Sequence, residues 1–125
     1  MINVLLAISS ELIRKSFLKI VLGESDMRVC GEAKTDIELF ELALQDNFDV
    51  IIMDIDLIGR GALETLGDLR TLSPHSPVIV LSSVSDDKFL WNVFKAGASG
   101  LINKETEPKE FLDTIRRVAA LRPSE

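Results

Sequence analysis

Four polar residues sit at the ends of short apolar runs, and their chemical types suit one reaction. These residues are Ser9, Asp54, Ser82 and Lys104. A carboxylate that meets a hydroxyl and a lysine suits phosphoryl transfer to the carboxylate, with Asp54 as the nucleophile. Ser82 and Lys104 would bind phosphoryl oxygens by a hydrogen bond and a charge-assisted one. Such a reaction also requires Mg²⁺, which neutralises the developing charge and prefers oxygen ligands.

The apolar runs alternate with helical patterns, which predicts that the four residues meet. The runs predict buried parallel strands over residues 2–8, 27–33, 50–54, 78–82 and 100–103. Five such strand and helix units indicate an α/β fold. We expect a doubly wound five-stranded parallel sheet of order 2-1-3-4-5, a flavodoxin-like three-layer sandwich. The carboxyl ends of parallel strands share one edge, so the four residues are expected there.

Apolar spacing indicates which face of each helix is buried. The first helix, of about three turns, is expected to end at Gly23, and the fourth to span residues 86–96. The expected buried faces contain, in chain order, Ile13, Phe17, Ile20 and Val21; Ile37, Phe40 and Leu44; Leu63, Leu66, Leu69 and Leu72; Phe89, Leu90, Val93 and Phe94; and Phe111, Leu112, Ile115, Val118 and Ala119. Trp91 lies off this stripe, either exposed where a partner would contact it or packed over a neighbouring side chain.

Composition sets limits on the class of protein. The 125 residues, 46% of them hydrophobic, are enough for one domain with a substantial core. We place that domain at residues 1–121, and residues 122–125 read as a tail or the start of a linker. The net charge of −6 argues against a nucleic-acid surface, so any DNA contact would come from another domain. No signal peptide or membrane-length apolar stretch is present, and a cytoplasmic location is expected.

Two reactive residue types occur once each. Cys30 lies in an apolar run and is expected to be a buried inert thiol, with no second cysteine for a disulfide. His75 lies between Pro74 and Pro77 in an expected loop. A single histidine without a partner does not indicate a metal site.

The combined pattern resembles the receiver domain of bacterial response regulators, the CheY-like superfamily, over residues 2–121. The segments KAGASG (residues 95–100) and VCGEA (29–33) look most like the NarL class, whose receivers usually precede a helix-turn-helix DNA-binding domain. By position, the resemblance implies that Asp54 is the phosphoacceptor, Ser82 the switch hydroxyl and Lys104 the phosphoryl-binding lysine. It also implies that Asp54 and the backbone carbonyl of Asp56 contribute to the metal site.

The chain departs from this family pattern at several positions. The acidic metal-binding pair falls on Ile8 and Ser9, so Mg²⁺ binding is expected to be weak or absent. The aromatic switch position falls on Leu101, and the usual loop proline on Ile58. An acidic residue often found after that proline falls on Gly61. The carboxylate of Asp56 would be a substitute, but alternation along the chain leaves its direction open. These departures are typical of receivers called atypical.

Three function classes remain. The first is a regulatory receiver, not an enzyme, that acts in a transcriptional regulator through dimerisation or partner binding, with little or no Mg²⁺-dependent phosphorylation. The second is a conventional receiver phosphorylated on Asp54 by a histidine kinase. The third, a nucleotide- or flavin-binding protein, is disfavoured because no phosphate-binding glycine motif follows a strand.

Two further roles, one structural and one at the surface, are open for the charged residues. Without the acidic pair, Lys104 would form an ion pair with Asp54 and hold the edge closed. Partners would be an upstream signalling protein and a second copy of the chain. Basic positions on the outer helices are candidates for the contact between copies, or are a solvated face: Lys15, Lys19, Arg116 and Arg117.

Overall fold

Five parallel strands form one sheet with helices on both faces in a computed structural model, which describes residues 1–83 and 86–121. The strands are β1 (Ile2–Ala7), β2 (Met27–Ala33), β3 (Val50–Asp54), β4 (Val78–Ser82) and β5 (Gly100–Asn103). The helices are α1 (Glu11–Leu22), α2 (Asp36–Gln45), α3 (Ala62–Leu72), α4 (Asp87–Lys95) and α5 (Pro108–Ala119). The strand order β2-β1-β3-β4-β5 confirms the predicted topology.

The central strands are buried on both faces, which explains their continuous apolar sequences. Every residue of β3 and β4 is buried. One hydrophobic cluster lies under α1 and α5, where the rings of Phe17 and Phe111 have centroids 4.8 Å apart. A second cluster lies on the opposite face under α2, α3 and α4, and includes Leu39, Leu66 and Val93. The two clusters together hold the sheet edge in place.

Side chains cap the helices that start next to the predicted site. The Ser10 hydroxyl accepts a hydrogen bond from the Ile13 amide at 3.3 Å, at the start of α1. The Thr35 hydroxyl accepts from the Glu38 amide at 3.2 Å, at the start of α2. Each cap satisfies a backbone amide that has no partner within the helix. The caps therefore fix the residue at which each helix begins.

The predicted buried faces of α2, α3 and α4 need correction. On α3, Leu66 and Leu69 are buried as expected, but Leu63 and Leu72 are 39% and 38% exposed. Ile37 and Leu44 are 65% and 64% exposed, whereas Leu39 and Ala43 are buried. The face predicted for α2 was therefore rotated, because apolar spacing does not show that Asp36 is the polar residue turned inward. On α4, Phe94 is 44% exposed, so its assignment to the core was wrong. Trp91 is 64% exposed, which agrees with the first of the two positions considered for it.

The burial expected for Cys30 was also wrong. Cys30 is exposed because β2 is an edge strand whose alternate residues face solvent. The strand β1 ends at Ala7, one residue earlier than expected, although the Ile8 amide still donates to the Ala33 carbonyl. The tail predicted at residues 122–125 lies outside the described residues. Over the described ranges, no helix is long and apolar enough to cross a membrane.

Candidate functional site

The carboxyl edge of the sheet brings together the three predicted reactive residues. Asp54 ends β3 and pairs in register with Leu81 of β4, directly before Ser82. Ser82 pairs with Asn103 of β5, directly before Lys104. The Lys104 amide donates to the Ser82 carbonyl at 3.1 Å. The convergence predicted from the parallel topology is therefore present.

The Lys104 ammonium lies between two carboxylates. Its Nζ is 2.8 Å from Asp54 Oδ1 and 3.0 Å from Asp56 Oδ2. The Asp54 side chain is 4% exposed, whereas that of Asp56 is 73% exposed. The direct pair between Asp54 and Lys104 was predicted. The sequence left the direction of the Asp56 side chain open. Its position two residues after Asp54 was the one indication that it could also reach Lys104.

The Asp54 carboxylate has a second partner within its own turn. Its Oδ1 accepts a hydrogen bond from the Asp56 amide at 2.8 Å, and the Asp54 carbonyl accepts from the Leu57 amide at 3.0 Å. Burial lowers the pKa of Lys104, but hydrogen bonds to Asp54 and Asp56 outweigh burial and raise the pKa above its ordinary value. The two carboxylates therefore stabilise the charged form of the Lys104 ammonium.

The two positions expected to carry acids have other contacts. Ile8 is fully buried in the cluster under α1 and α5. The Ser9 hydroxyl donates to the Lys34 carbonyl at 2.6 Å and accepts from the Ile58 amide at 2.8 Å. Ser9 thus joins the end of β1 to the loop after β2 and to the loop after β3.

A buried arginine lies beside the same end of β1 and was not anticipated. Arg14 is 5% exposed, and its Nη1 donates to the Ile8 carbonyl at 2.9 Å. Its Nε donates to Glu32 Oε1 on β2 at 3.1 Å. The sequence holds no clear signal for this, because Arg14 lies next to the apolar residue Ile13 on α1. The contacts attach α1 to the edge strand.

The two positions that were expected to act as a switch, Ser82 and Leu101, are also located. Ser82 is buried at the end of β4. Leu101, at the position where the family pattern has an aromatic residue, is partly buried against the cluster under α2, α3 and α4. The expected aromatic position is thus occupied by an aliphatic side chain packed along the sheet.

Comparison with known proteins identifies the family. Residues 4–116 match the model of the response regulator receiver domain. The chain is 31% identical over 118 residues to a transcriptional regulatory protein, YxjL, of Bacillus subtilis, covering 94% of this chain and 54% of the relative. It is 33% identical over 119 residues to a nitrate/nitrite response regulator homologue of Haemophilus influenzae, covering 94% and 57%.

A solved structure agrees with this match. The response regulator domain of Thermotoga maritima CheB superposes with a TM-score of 0.89 at 28% identity, covering 98% of this chain and 99% of that domain. The chain spans about half the length of the curated relatives it matches. The family match and the two relatives agree with the site geometry, and the chain belongs to the response regulator receiver domains.

Proposed function

We propose that this receiver is atypical: it acts through dimerisation or partner binding, and Mg²⁺-dependent phosphorylation of Asp54 is weak or absent. The observation that carries the proposal is the position of Ser9. Its hydroxyl is engaged by Lys34 and Ile58, where the family pattern has an acidic metal ligand. The neighbouring position, Ile8, is buried among apolar side chains.

The residues present do not fit a magnesium ion well. Receiver domains generally use Mg²⁺ for phosphorylation, and that ion prefers oxygen ligands, carboxylates in particular. Asp54 offers a carboxylate and Asp56 a backbone carbonyl. However, Oδ1 of Asp54 already accepts hydrogen bonds from the Lys104 ammonium and the Asp56 amide. Among residues 1–83 and 86–121, no group of three or more acidic, histidine or cysteine side chains has a metal-binding arrangement. We assign no step to a metal.

The second candidate function is conventional phosphorylation of Asp54 by a histidine kinase. It is favoured by one observation, the shared sheet edge of Asp54, Ser82 and Lys104. In this alternative, Lys104 would leave Asp56 and bind a phosphoryl oxygen, while Ser82 would donate its hydroxyl. The two candidates differ in whether Asp54 is modified at all.

For the whole protein, we propose that this domain regulates transcription together with a separate DNA-binding domain. The support is the name of the Bacillus subtilis relative, a transcriptional regulatory protein about twice as long as the matched region. The domain itself has a net charge of −6, which disfavours direct DNA binding. Its proposed partners are a second copy of the chain and a histidine kinase or another upstream signalling protein.

Calorimetric titration with Mg²⁺ tests the proposal. We expect little binding to the native protein and an affinity increase of roughly tenfold or more in Ser9→Asp, which adds a carboxylate ligand. Ser10→Asp is the matched control, since it adds the same charge one residue away and keeps a capping side chain. Adding Ile8→Asp should increase affinity further but lower stability, because position 8 is fully buried.

Intact mass after incubation with acetyl phosphate and Mg²⁺ tests the chemistry. We expect the native protein to remain unmodified under conditions that modify the Ile8→Asp, Ser9→Asp variant. Stoichiometric modification of the native protein, abolished by Asp54→Asn, would establish the conventional alternative. Tight Mg²⁺ binding by the native protein would contradict the proposed loss of the metal site.

A further inference from the structure

The loop after β3, residues 55–61, is attached to the start of α2 by backbone hydrogen bonds. Thr35 and Ile58 form an isolated parallel bridge. The Asp36 amide donates to the Ile58 carbonyl at 2.9 Å, and the Ile58 amide donates to the Ser9 hydroxyl at 2.8 Å. Both backbone polar groups of Ile58 are therefore satisfied by partners outside the loop.

A buried carboxylate and an arginine strengthen this attachment. The Asp36 side chain is 7% exposed, and its Oδ2 accepts from the Arg60 amide at 3.1 Å and lies 3.6 Å from Arg60 Nε. Arg60 also pairs with Asp68 on α3 and stacks over Phe40 on α2, with its guanidinium carbon 5.6 Å from the ring centroid. One side chain thus joins the loop to two helices.

Glycine at position 59 permits this close approach. Gly59 has a φ of +150°, and a Cβ at that position would lie 2.2 Å from Asp36 Cγ. A side chain there would displace the carboxylate from the loop backbone. We call the arrangement of Ser9, Asp36 and Arg60 around this loop the loop clamp.

We propose that Asp36 and Arg60 are positioning residues, which hold the loop so that the Asp56 carboxylate stays against Lys104. Only residues 55–57 lie between Asp54, at the end of β3, and the clamped Ile58. So short a segment, fixed at both ends, leaves Asp56 few alternative positions. The clamp thereby keeps the site's cation paired with two carboxylates. This inference concerns the loop in the unmodified protein, and it does not depend on which of the two candidate functions is correct.

Nuclear magnetic resonance of Arg60→Ala tests the proposal. Arg60 is largely exposed, so this variant is expected to fold. We expect hydrogen exchange of the Ile58 amide to become at least about tenfold faster, since its bond to Ser9 opens more often. We also expect the ¹H–¹⁵N signal of the Lys104 ammonium to weaken, because its protons lose protection when Asp56 moves away. Arg60→Lys, which keeps one ion pair, should restore both signals in part.

Three further variants make the outcome decisive. Glu64→Gln, at an exposed position of the first turn of α3, is the matched control and should leave both signals unchanged. Asp56→Asn defines the ammonium signal expected when the carboxylate is lost. If Arg60→Ala and Asp36→Asn leave the ammonium signal as in the native protein while Asp56→Asn weakens it, Asp56 is held without the clamp and the proposal is wrong.

Discussion

The Asp54 side chain is almost fully buried, and the Lys104 side chain that pairs with it is only slightly more exposed. Their side chains are 4% and 15% exposed. An ion pair at the edge of a sheet would contribute little to folding if both of its charges were open to water. The burial of Asp54 changes that expectation, because removing Lys104 would leave a charged group in a place with little access to water.

We therefore expect Lys104→Ala to fold but to lose roughly 1–3 kcal/mol in the free energy of unfolding. The loss is moderate because Asp54 keeps its hydrogen bond from the Asp56 amide. Asp56→Asn should cost much less, since that carboxylate is mostly exposed. Urea denaturation of the three proteins, followed by circular dichroism, measures the difference.

The double variant Asp54→Asn, Lys104→Ala is the control for this interpretation. It removes the buried charge together with its partner, so we expect it to regain much of the lost stability. If the double variant loses as much unfolding free energy as Lys104→Ala, or more, then Lys104 stabilises the domain by packing rather than by pairing with Asp54. Failure of Lys104→Ala to fold would assign the pair to the core.

The helix α5 is attached to the turn between α1 and β2 by Arg116. Its Nη2 is 2.6 Å from Glu24 Oε1, its Nε is 2.8 Å from Asp26 Oδ2, and its Nη1 is 3.5 Å from Asp113 Oδ1. Hydrogen bonds to Asp26 and Glu24 raise the pKa of Arg116. Arg116 is one of the candidates for contact between copies, and its guanidinium is already engaged by these three carboxylates of its own chain. Arg117 on the same helix is exposed.

Arg116→Ala should loosen the end of α5 without unfolding the domain. The apolar face of the helix, including Phe111 and Ile115, remains buried in the core. We expect faster amide exchange near residues 116–120 and in the turn at 24–26, measured by mass spectrometry of proteolytic peptides. Arg117→Ala is the matched control. Equal exchange in the two variants would contradict a role for the ion pairs.

The contact between Arg116 and Asp26 also predicts that the stability of the domain falls at low pH. A hydrogen bond from Arg116 lowers the pKa of Asp26 below its ordinary value. A lowered folded-state pKa contributes stability that is present above the unfolded-state pKa, about 4, and is lost as the pH falls through the folded-state value. Asp26→Asn should therefore reduce the loss of melting temperature below about pH 4. An unchanged acid profile would show that the contact does not couple to folding.

Strands were predicted more accurately than helix faces, for a physical reason. β3 and β4 are buried on both sides, so each is a continuous apolar run whose ends are visible in the sequence. The faces of α2 depend on which residues the neighbouring loops contact. Asp36 is buried because the loop after β3 binds its carboxylate, and no periodic pattern records such a contact. Arg14 is buried for the same kind of reason, through a carbonyl at the end of β1.

Two of the four basic residues considered for contact between copies already form ion pairs within the chain. Lys15 pairs with Glu11 on α1, with Nζ 3.1 Å from Oε1, and Arg116 pairs within the chain. Lys19 on α1 and Arg117 on α5 are exposed. These two positions are the better choices for a test of self-association.

We expect self-association to be unchanged by Asp54→Ala but weakened by Lys19→Glu combined with Arg117→Glu. The proposed interface is a packed helical surface whose shape does not depend on the state of Asp54. Sedimentation velocity over a range of concentrations measures the effect. Glu64→Lys on α3, a charge reversal on a distant helix, is the control.

The phosphorylation-dependent alternative predicts the opposite pattern. In that case, acetyl phosphate would promote dimerisation of the native protein, and Asp54→Ala would abolish the response. Such a result would mean that the remaining oxygen ligands support the reaction despite Ile8 and Ser9. It would leave the loop clamp unaffected, because the clamp is measured in the unmodified protein.

The contact between Gly59 and Asp36 also limits how this domain can change during evolution. Any side chain at position 59 would occupy the space of the Asp36 carboxylate, so the carboxylate cannot keep its present position beside such a side chain. A lineage that gains a side chain at position 59 therefore has to move the Asp36 carboxylate or replace it by a smaller residue. In an alignment of this chain's nearest homologues, we expect an acidic residue at 36 to occur only together with glycine at 59.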